Sequence, residues 1–593
     1  MSTSVTPPRA EDSERGETFS PSGVSARAAV ESLEEFLGGY WEPDSRLSVR
    51  QVLSTDDGDD LPWKAVEALF EWGFQDYLVP AEFGGQLNCL EELFQVCRAI
   101  SRRDVRLVVA YGSGMLGANP VWLWGDAGQR GWLAGRVLAG DLGSFGMSER
   151  DHGSDLANCE FTARRDGGSF RLTGEKWPIG NATRGTFVTL YAKTGPSKFS
   201  LLLVDKSALP ESGWANLPRV MTLGLRGHDL SGLTFEDCEV PASSVIGTGG
   251  TGIAQTLKTL QITRTIIAAT SLGTLDTGLR ICLEHTRQRH LYGAAIEELP
   301  LIRDLLTGVY LDILIGECVS LPATRALTLL PERLSLWSSV VKYLVPEIVE
   351  EGMTQLSKVL SARYYLQDTE RSRLFQKLQR DHAVVGIFEG TSHVNLSVIA
   401  SHLCALPATG TAPDDDLLRQ IFGTSGTTAV WRPDGEDLRL LSPGPDPASA
   451  GWAHVKQEIA GRVGAEPVNA EILDAMDRLD AVRSGHEQRA AGMGLGSSPR
   501  MPSRGFNEAR TWALLHAASC CVLTWWYSRE EEGALDPPFA DGEWLVLCLW
   551  RLLQRFDSTV MLPERYARDA AAWMSGQYVN DRSFSLTSTR LSR

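Results

Sequence analysis

The chain has 593 residues, 43% of them hydrophobic, and a formal net charge of −17. That length holds several domains with large cores, and the acidic balance excludes nucleic acid or an anionic membrane as the main partner. The ten cysteines are scattered, with Cys520 and Cys521 adjacent and no Cys-x-x-Cys spacing. This pattern fits reduced thiols in a cytoplasm, with neither a disulfide framework nor a structural zinc.

Residues 1–25 are polar, rich in Ser, Thr, Glu and Pro, and lack the apolar core of a signal peptide, so they read as a disordered tail. Helical periodicity runs from 26 to 140, as in Leu90-Leu93-Phe94-Val96-Cys97-Ile100, and a loop from Leu78 to Gly85 interrupts it. Between 141 and 246 the texture changes to short alternating segments at 160–163, 169–172, 187–191 and 200–204, separated by turns such as Asp166-Gly167-Gly168. These predict a small β-domain. No Gly-x-Gly-x-x-Gly follows a strand and opens a helix, so no dinucleotide fingerprint is present.

Amphipathic helical runs return from 247 to 405, where Gln261-Ile262-Thr263-Arg264 is expected to open a small-residue helix at Ala268 to Gly273. Residues 406–460, with Gly, Thr, Pro and the acidic run Asp414-Asp415-Asp416, read as a linker region. From 461 to 593 a helical extension follows, with helices near 467–492, 508–530, 542–556 and 563–576. Its apolar stretch Trp512 to Tyr527 contains His516 and falls short of the ~20 residues a membrane span needs, so burial is expected and membrane association is not. The fold class is α+β and multidomain: an N-terminal helical domain, a central β-barrel-like domain, a C-terminal helical bundle and an extra helical extension.

The stretch that carries chemistry is Arg380-Asp381 followed by Ile387-Phe388-Glu389-Gly390-Thr391-Ser392-His393. Apolar residues at Val394, Leu396, Ile399 and Leu403, with Thr391 or Ser392 as N-cap, predict a helix just after Gly390. Glu389 then sits on the turn before a helix, where Ile387 and Phe388 desolvate it and raise its pKa. Such a carboxylate suits proton abstraction from a carbon acid, although a capping carboxylate in a helix–helix turn would look the same.

This run resembles the catalytic turn of flavin-dependent acyl-CoA dehydrogenases, and four more stretches resemble the same family in the expected order over about residues 30 to 405. The loop Val79-Pro80-Ala81-Glu82-Phe83-Gly84-Gly85 is one. In Phe145-Gly146-Met147-Ser148-Glu149-Arg150-Asp151-His152-Gly153-Ser154 the resemblance implies that Phe145, Met147 and Ser148 hold the flavin ring and that Ser154 borders the acyl carrier arm. Gly174-Glu175-Lys176-Trp177-Pro178-Ile179-Gly180 is similar to the flavin-edge strand, which puts Pro178, Ile179 and Gly180 at cofactor positions. Arg289-His290-Leu291-Tyr292-Gly293 resembles the segment whose arginine reaches the cofactor pyrophosphate of a neighbouring subunit, so Arg289 and Tyr292 are placed in the cofactor set and Arg289 implies a homodimer. Thr391 and His393 join the cofactor set, Arg264 is placed near the catalytic carboxylate, and Gln261 with Arg264 and Ser154 face substrate. The layout after 405 is similar to the extension of the very-long-chain branch.

What the resemblance implies is FAD-dependent α,β-dehydrogenation of an acyl thioester, with Glu389 taking the α-proton and flavin N5 the β-hydride. The acyl carrier is coenzyme A or an acyl carrier protein, and the electrons leave to electron-transfer flavoprotein or another acceptor. Several positions depart from the pattern. Pro178 and Gly180 remove a hydroxyl from the flavin edge, Leu299-Pro300 replaces a His-Gln pair, and Ser361-Ala362 replaces a Gly-Gly beside the cofactor. Such departures resemble dehydrogenases of specialised metabolism, which favours a carrier protein. A flavin oxidase or N-oxygenase on the same fold is the rival enzyme, against which Glu389 counts, and a non-catalytic scaffold is the rival outside enzymes.

Overall fold

The computed structural model describes residues 26–403, 414–424, 430–442, 444–462, 468–491 and 502–592, so the expected tail at 1–25 lies outside the described residues. The N-terminal bundle comprises α1 (Ala26–Leu37), α2 (Val49–Asp57), α3 (Trp63–Trp72), α4 (Leu90–Arg103), α5 (Val105–Trp124) and α6 (Ala127–Leu138). Ser48 with Gln51 and Asp126 with Gln129 form reciprocal capping boxes that start α2 and α6. The loop at 78–85 is built on two 3₁₀ turns, Phe74–Leu78 and Ala81–Phe83.

One curled seven-stranded sheet follows: β1 (Gly143–Gly146), β2 (Thr162–Asp166), β3 (Ser169–Gly180), β4 (Phe187–Gly195), β5 (Lys198–Asp205), β6 (Trp214–Leu217) and β7 (Leu230–Pro241). Its order is β1-β4-β2-β3-β7-β6, with β5 paired to β4. The strand expected at 160–163 begins two residues later, because the backbone N–H groups of Glu160 and Phe161 are taken by the Glu149 carboxylate instead of a strand partner. β3 runs on to Gly180, and its register against β7 shifts between Lys176 and Ile179, where Pro178 has no N–H to give.

The second helical layer contains α7 (Gly252–Ile266), α8 (Ala268–Gln288), the hairpin β8 (His290–Leu291) and β9 (Ala294–Ala295), α9 (Pro300–Leu329), α10 (Leu334–Leu360), α11 (Ala362–Tyr365), α12 (Glu370–His382) and α13 (Ser392–Leu403). Gln261 to Arg264 do not open the helix at Ala268. They lie late in α7, which meets α8 at Ile267. In the extension are α14 (Asp415–Phe422), α15 (Pro447–Ala460), α16 (Val468–Ala491), α17 (Ser503–Ser528), α18 (Glu543–Gln554) and α19 (Glu564–Val579). The stretch 406–460 is therefore more than a linker. Asp414 and Asp446, read as loop residues, cap α14 and α15 through Leu417 N at 3.1 Å and Ser449 N at 2.9 Å. Among the described residues, the helical runs long and apolar enough to cross a membrane are Gly252–Gln288 and Pro300–Leu329, not Trp512 to Tyr527, and each has 94% of its apolar window buried inside the protein.

Two buried polar clusters lock these parts together. Lys377 on α12 donates to Asp104, between α4 and α5, at 2.9 Å and to Asp381 at 2.5 Å. Asp381 in turn accepts from Leu225 N at 2.7 Å, in the segment leading into β7. Gly224 lies so close to the Arg380 carbonyl that a Cβ would overlap it. The second cluster is formed by the segment after α19, which returns to plug the space between α4, α8 and α9. There Phe584 is 0% exposed, its N–H donates to Asp276 at 3.0 Å, and its carbonyl accepts from Arg98 at 2.7 Å. Glu317 on α9 pairs with Arg98 at 2.6 Å and accepts from the Ser585 hydroxyl at 2.8 Å.

Candidate active site

The turn between α12 and α13 is held in an unusual backbone shape. Val385 N and Ile387 N bond back to His382 O and Val384 O, each at 2.8 Å, and Ser392 N closes the turn on Gly386 O at 3.0 Å. Within it Glu389 has φ 58° and Gly390 φ 104°. The left-handed region costs a side-chain-bearing residue roughly 1–2 kcal/mol, so Glu389 stays there only because its surroundings insist. Arg264 on α7 donates through Nε to the Glu389 carbonyl at 2.9 Å, and a Cβ on Gly390 would lie 2.7 Å from Arg264 Nη2. Lys342 on α10 donates to the Val385 carbonyl, and Asn395 Nδ2 donates to Gly390 O at 2.9 Å.

Electrostatics single out the carboxyl of Glu389. Burial raises its pKa, opposed by the Lys342 ammonium, the Thr263 hydroxyl and Arg264. The residue as a whole is half-buried, but its Oε2 is sealed from solvent and has no hydrogen-bond partner among the described residues. Burial also draws Lys342 down to about 7 and Arg264 down to about 10, with Glu389 pulling both back up. The arrangement is a carboxyl more basic than a surface carboxylate, with lone pairs left open for a proton from outside the protein.

A second group of residues is built on β1, β3 and the loop between β1 and β2. Lys176 is fully buried and donates to Glu149 at 2.8 Å and to the Met147 carbonyl at 3.1 Å. Burial raises the Glu149 carboxyl, but Lys176 and the donors from Cys159 and Glu160 bring it down to about 2. The pair fixes Met147 and Ser148, and the Ser148 carbonyl accepts from Trp177 N at 3.0 Å. Trp177 is half-buried rather than core, with the Arg150 guanidinium 4.1 Å from its ring centroid. Phe145 and Ile179 are buried beside this loop, and Pro178 is half-buried. At Gly180 a Cβ would overlap the Ser113 hydroxyl of α5 and come within 3.0 Å of His228 Nε2. A hydroxyl therefore borders the spot where position 180 itself has none. His228 is kept neutral by burial, its pKa lowered to about 4.

These residues fit the flavin that the resemblance implies. Ser113 and His228 occupy the place where a side chain at 180 would point, so the β3 end presents a hydroxyl and an imidazole, and the Trp177 ring on the same strand is half-buried. Arg289 and Tyr292 lie elsewhere, exposed at the β8–β9 hairpin; Tyr292 is 93% exposed, and Arg289 has no ion-pair partner among the described residues. That guanidinium is available to a phosphate or a second subunit.

The other expected residues are spread more widely. Thr391 caps α13 by accepting from Val394 N at 3.3 Å. His393 is exposed and meets Phe506 of α17 edge-on, with centroids 6.3 Å apart. Gln261 donates to the Arg439 carbonyl at 2.8 Å, in the segment that leads into α15. Ser154 is exposed in the loop after β1. Sequence reasoning missed Lys342, Lys176 as the loop's anchor, and Ser113. Only Lys342 left a signal, as the one cation in the apolar run Val340-Val341-Lys342-Tyr343-Leu344-Val345.

The acyl-CoA dehydrogenase middle domain matches residues 144–238, and the acyl-CoA dehydrogenase C-terminal domain matches residues 250–404. A probable acyl-CoA dehydrogenase, fadE25, of Mycobacterium leprae is 26% identical over 347 residues, 58% of this chain and 87% of that protein. The mitochondrial short-chain specific acyl-CoA dehydrogenase of Rattus norvegicus is 27% identical over 356 residues, 58% of this chain and 82% of that protein. Among solved structures, an acyl-CoA dehydrogenase complexed with FAD from Bacillus anthracis shares the fold over 94% of this chain and 93% of its own, with TM-score 0.68 and 18% identity. The prolyl acyl carrier protein oxidase AnaB covers 64% of this chain and 98% of its own at TM-score 0.57 and 20% identity.

Proposed function

The chain belongs to the acyl-CoA dehydrogenase family through its middle and C-terminal domains, and from that premise we propose that it desaturates an acyl thioester with Glu389 as the base. At the family level it is an FAD-dependent oxidoreductase acting on CH–CH bonds. The observation that carries the assignment is the solvent-sealed Oε2, unpartnered among the described residues, of a carboxyl whose pKa is raised. Bound FAD supplies the acceptor for the β-hydride.

The remaining work falls to the chain. Glu389 takes the α-proton, and the electron pair of that C–H bond becomes the α,β double bond as the β-hydride leaves. The Glu389 N–H donates to no group among the described residues, which leaves it for the thioester carbonyl. Arg264 acts on the backbone of the base, since its Nε goes to the Glu389 carbonyl. Met147, Ser148 and Trp177 bear on the ring, and Ser113 provides a hydroxyl beside Gly180. The carrier is coenzyme A or an acyl carrier protein, and electron-transfer flavoprotein or another acceptor takes the electrons onward.

The protein acts as a homodimer in a reducing cytoplasm. Exposed Arg289, Tyr292, Leu301 and Tyr365 support the dimer, and the described cysteines, all free and buried, support the compartment. Mixing the flavin-loaded protein with a panel of coenzyme A and carrier-bound acyl thioesters tests the reaction. Bleaching with formation of an enoyl product is expected, and a protein that binds no FAD even after reconstitution would favour the scaffold. Light scattering that shows a flavin-loaded monomer would refute the dimer.

A further inference from the structure

Lys342 has no part in the reading above, yet it faces the same turn. It lies in the middle of α10, 1% exposed, donates to the Val385 carbonyl and stands 4.5 Å from the Phe388 ring centroid. α10 tethers the turn at two further points. Glu347 accepts from the Ser392 hydroxyl at 2.8 Å, and Glu350 pairs with His382 at 3.2 Å. From the other side, α7 presents Thr263 and Arg264, the latter on the Glu389 carbonyl.

Glu389 thus hangs between two cations, each of which hydrogen-bonds a backbone carbonyl, while Oε2 has no partner among the described residues. This geometry resolves a conflict in base design. A buried carboxylate needs positive charge to stay ionised, but a cation bonded directly to the reacting oxygen would occupy the lone pair that must take the proton. Spending the cation's hydrogen bond on the neighbouring carbonyl meets both needs.

We propose that Lys342 is a positioning residue for Glu389, anchoring the Val385 carbonyl and keeping the carboxyl ionised without bonding to its reactive oxygen. The inference rests on the reading of Glu389 as the base. It has a direction that a purely structural lysine lacks. Removing the positive charge raises the Glu389 pKa further, so the pH at which proton abstraction begins moves up. Burial draws Lys342 itself down to about 7, so its help fades above neutral pH in the native protein.

The experiment uses the flavin-loaded 593-residue chain with a saturated acyl thioester that gives product. Exchange of its α-hydrogens for deuterium in D₂O is followed by mass spectrometry over about pH 5.5 to 9. Lys342→Met removes both charge and donor, Lys342→Gln keeps a donor for Val385 without the charge, and Lys342→Arg keeps both. The expected result is an acid limb displaced upward by about one pH unit, or ~10-fold slower exchange below it, in Met and Gln alike. In Arg the acid limb stays in place. An unshifted limb in folded Lys342→Gln, or a rate loss equal at every pH, would overturn the proposal. Native protein that exchanges no α-hydrogen and makes no product would bring down the dehydrogenase reading and this one with it.

Discussion

Glu389→Gln tests the centre of the argument. The amide keeps the size of the side chain but cannot accept the α-proton, and a functional base contributes ~10²–10⁴-fold, or roughly 3–5 kcal/mol of barrier. Folding should change little, because two effects oppose. The variant no longer buries a carboxyl that is costly to ionise, and it deprives Lys342 and Arg264 of their counter-charge. The backbone bonds that hold the turn, from Arg264 to Glu389 O and from Lys342 to Val385 O, do not involve the side chain and remain. The variant should therefore stay yellow, keep its melting temperature and bind acyl thioester, yet fail to bleach in stopped-flow mixing. Native-like bleaching would remove Glu389 from the mechanism and reopen the oxidase reading.

Ending the chain near Ala408 should give an aggregating protein, because α17 and α18 leave the faces of α9 and α10, and Asp312 and Glu317 lose partners on α18 and in the segment after α19. A soluble truncated dimer without catalysis would instead show that the extension has a catalytic part. Ser361 ends α10 at φ 55°, ψ −129°, with its side chain exposed, so Ser361→Gly should gain about 1 kcal/mol in chemical denaturation. A loss would mean that the hydroxyl makes a contact in the assembled protein. Burial raises the Asp446 carboxyl, but His516, Trp337 and the Ser449 N–H bring it down to about 2. A lowered carboxylate contributes stability above its unfolded value near 4 and loses it as the pH falls through about 2. Asp446→Asn should cost roughly 2 kcal/mol at neutral pH and flatten acid unfolding over that window. An unchanged acid limb would sink the assignment.

What the sequence could show was local. The helix at Ser392 rests on a cap by its neighbour Thr391, which accepts from Val394 N three residues on, and Glu389 could be placed on its turn from Gly390 and the apolar residues that follow. α14 was obscured because a run of aspartates reads as a solvated charge cluster until one of them is seen capping a helix, and α15 because its cap Asp446 lies among the prolines and glycines of a loop. The break at Ile267 left no mark, since the apolar periodicity continues across it. What Lys342 and Ser113 touch was out of reach for a different reason, although Lys342 stands out as a lone cation in an apolar run. Each matters through a residue distant in the chain, and no spacing rule joins α10 to the turn after α12 or α5 to the end of β3.

The plug formed after α19 sets a timetable for making this protein. Arg98 and Phe584 are 486 residues apart, and Asp276 and Phe584 are 308 apart. At synthesis rates of about 5–20 residues per second, α4 waits roughly half a minute to a minute and a half for the segment that satisfies Arg98. Over that interval Arg98, Asp276 and Glu317 lie open beside the apolar faces of α8 and α9 on the nascent chain. The N-terminal bundle can assemble early and meet α8 and α9, but the space between them that Phe584 fills stays open until the last residues are made. Yield in a cell should therefore depend on how well chaperones shield that space while translation proceeds.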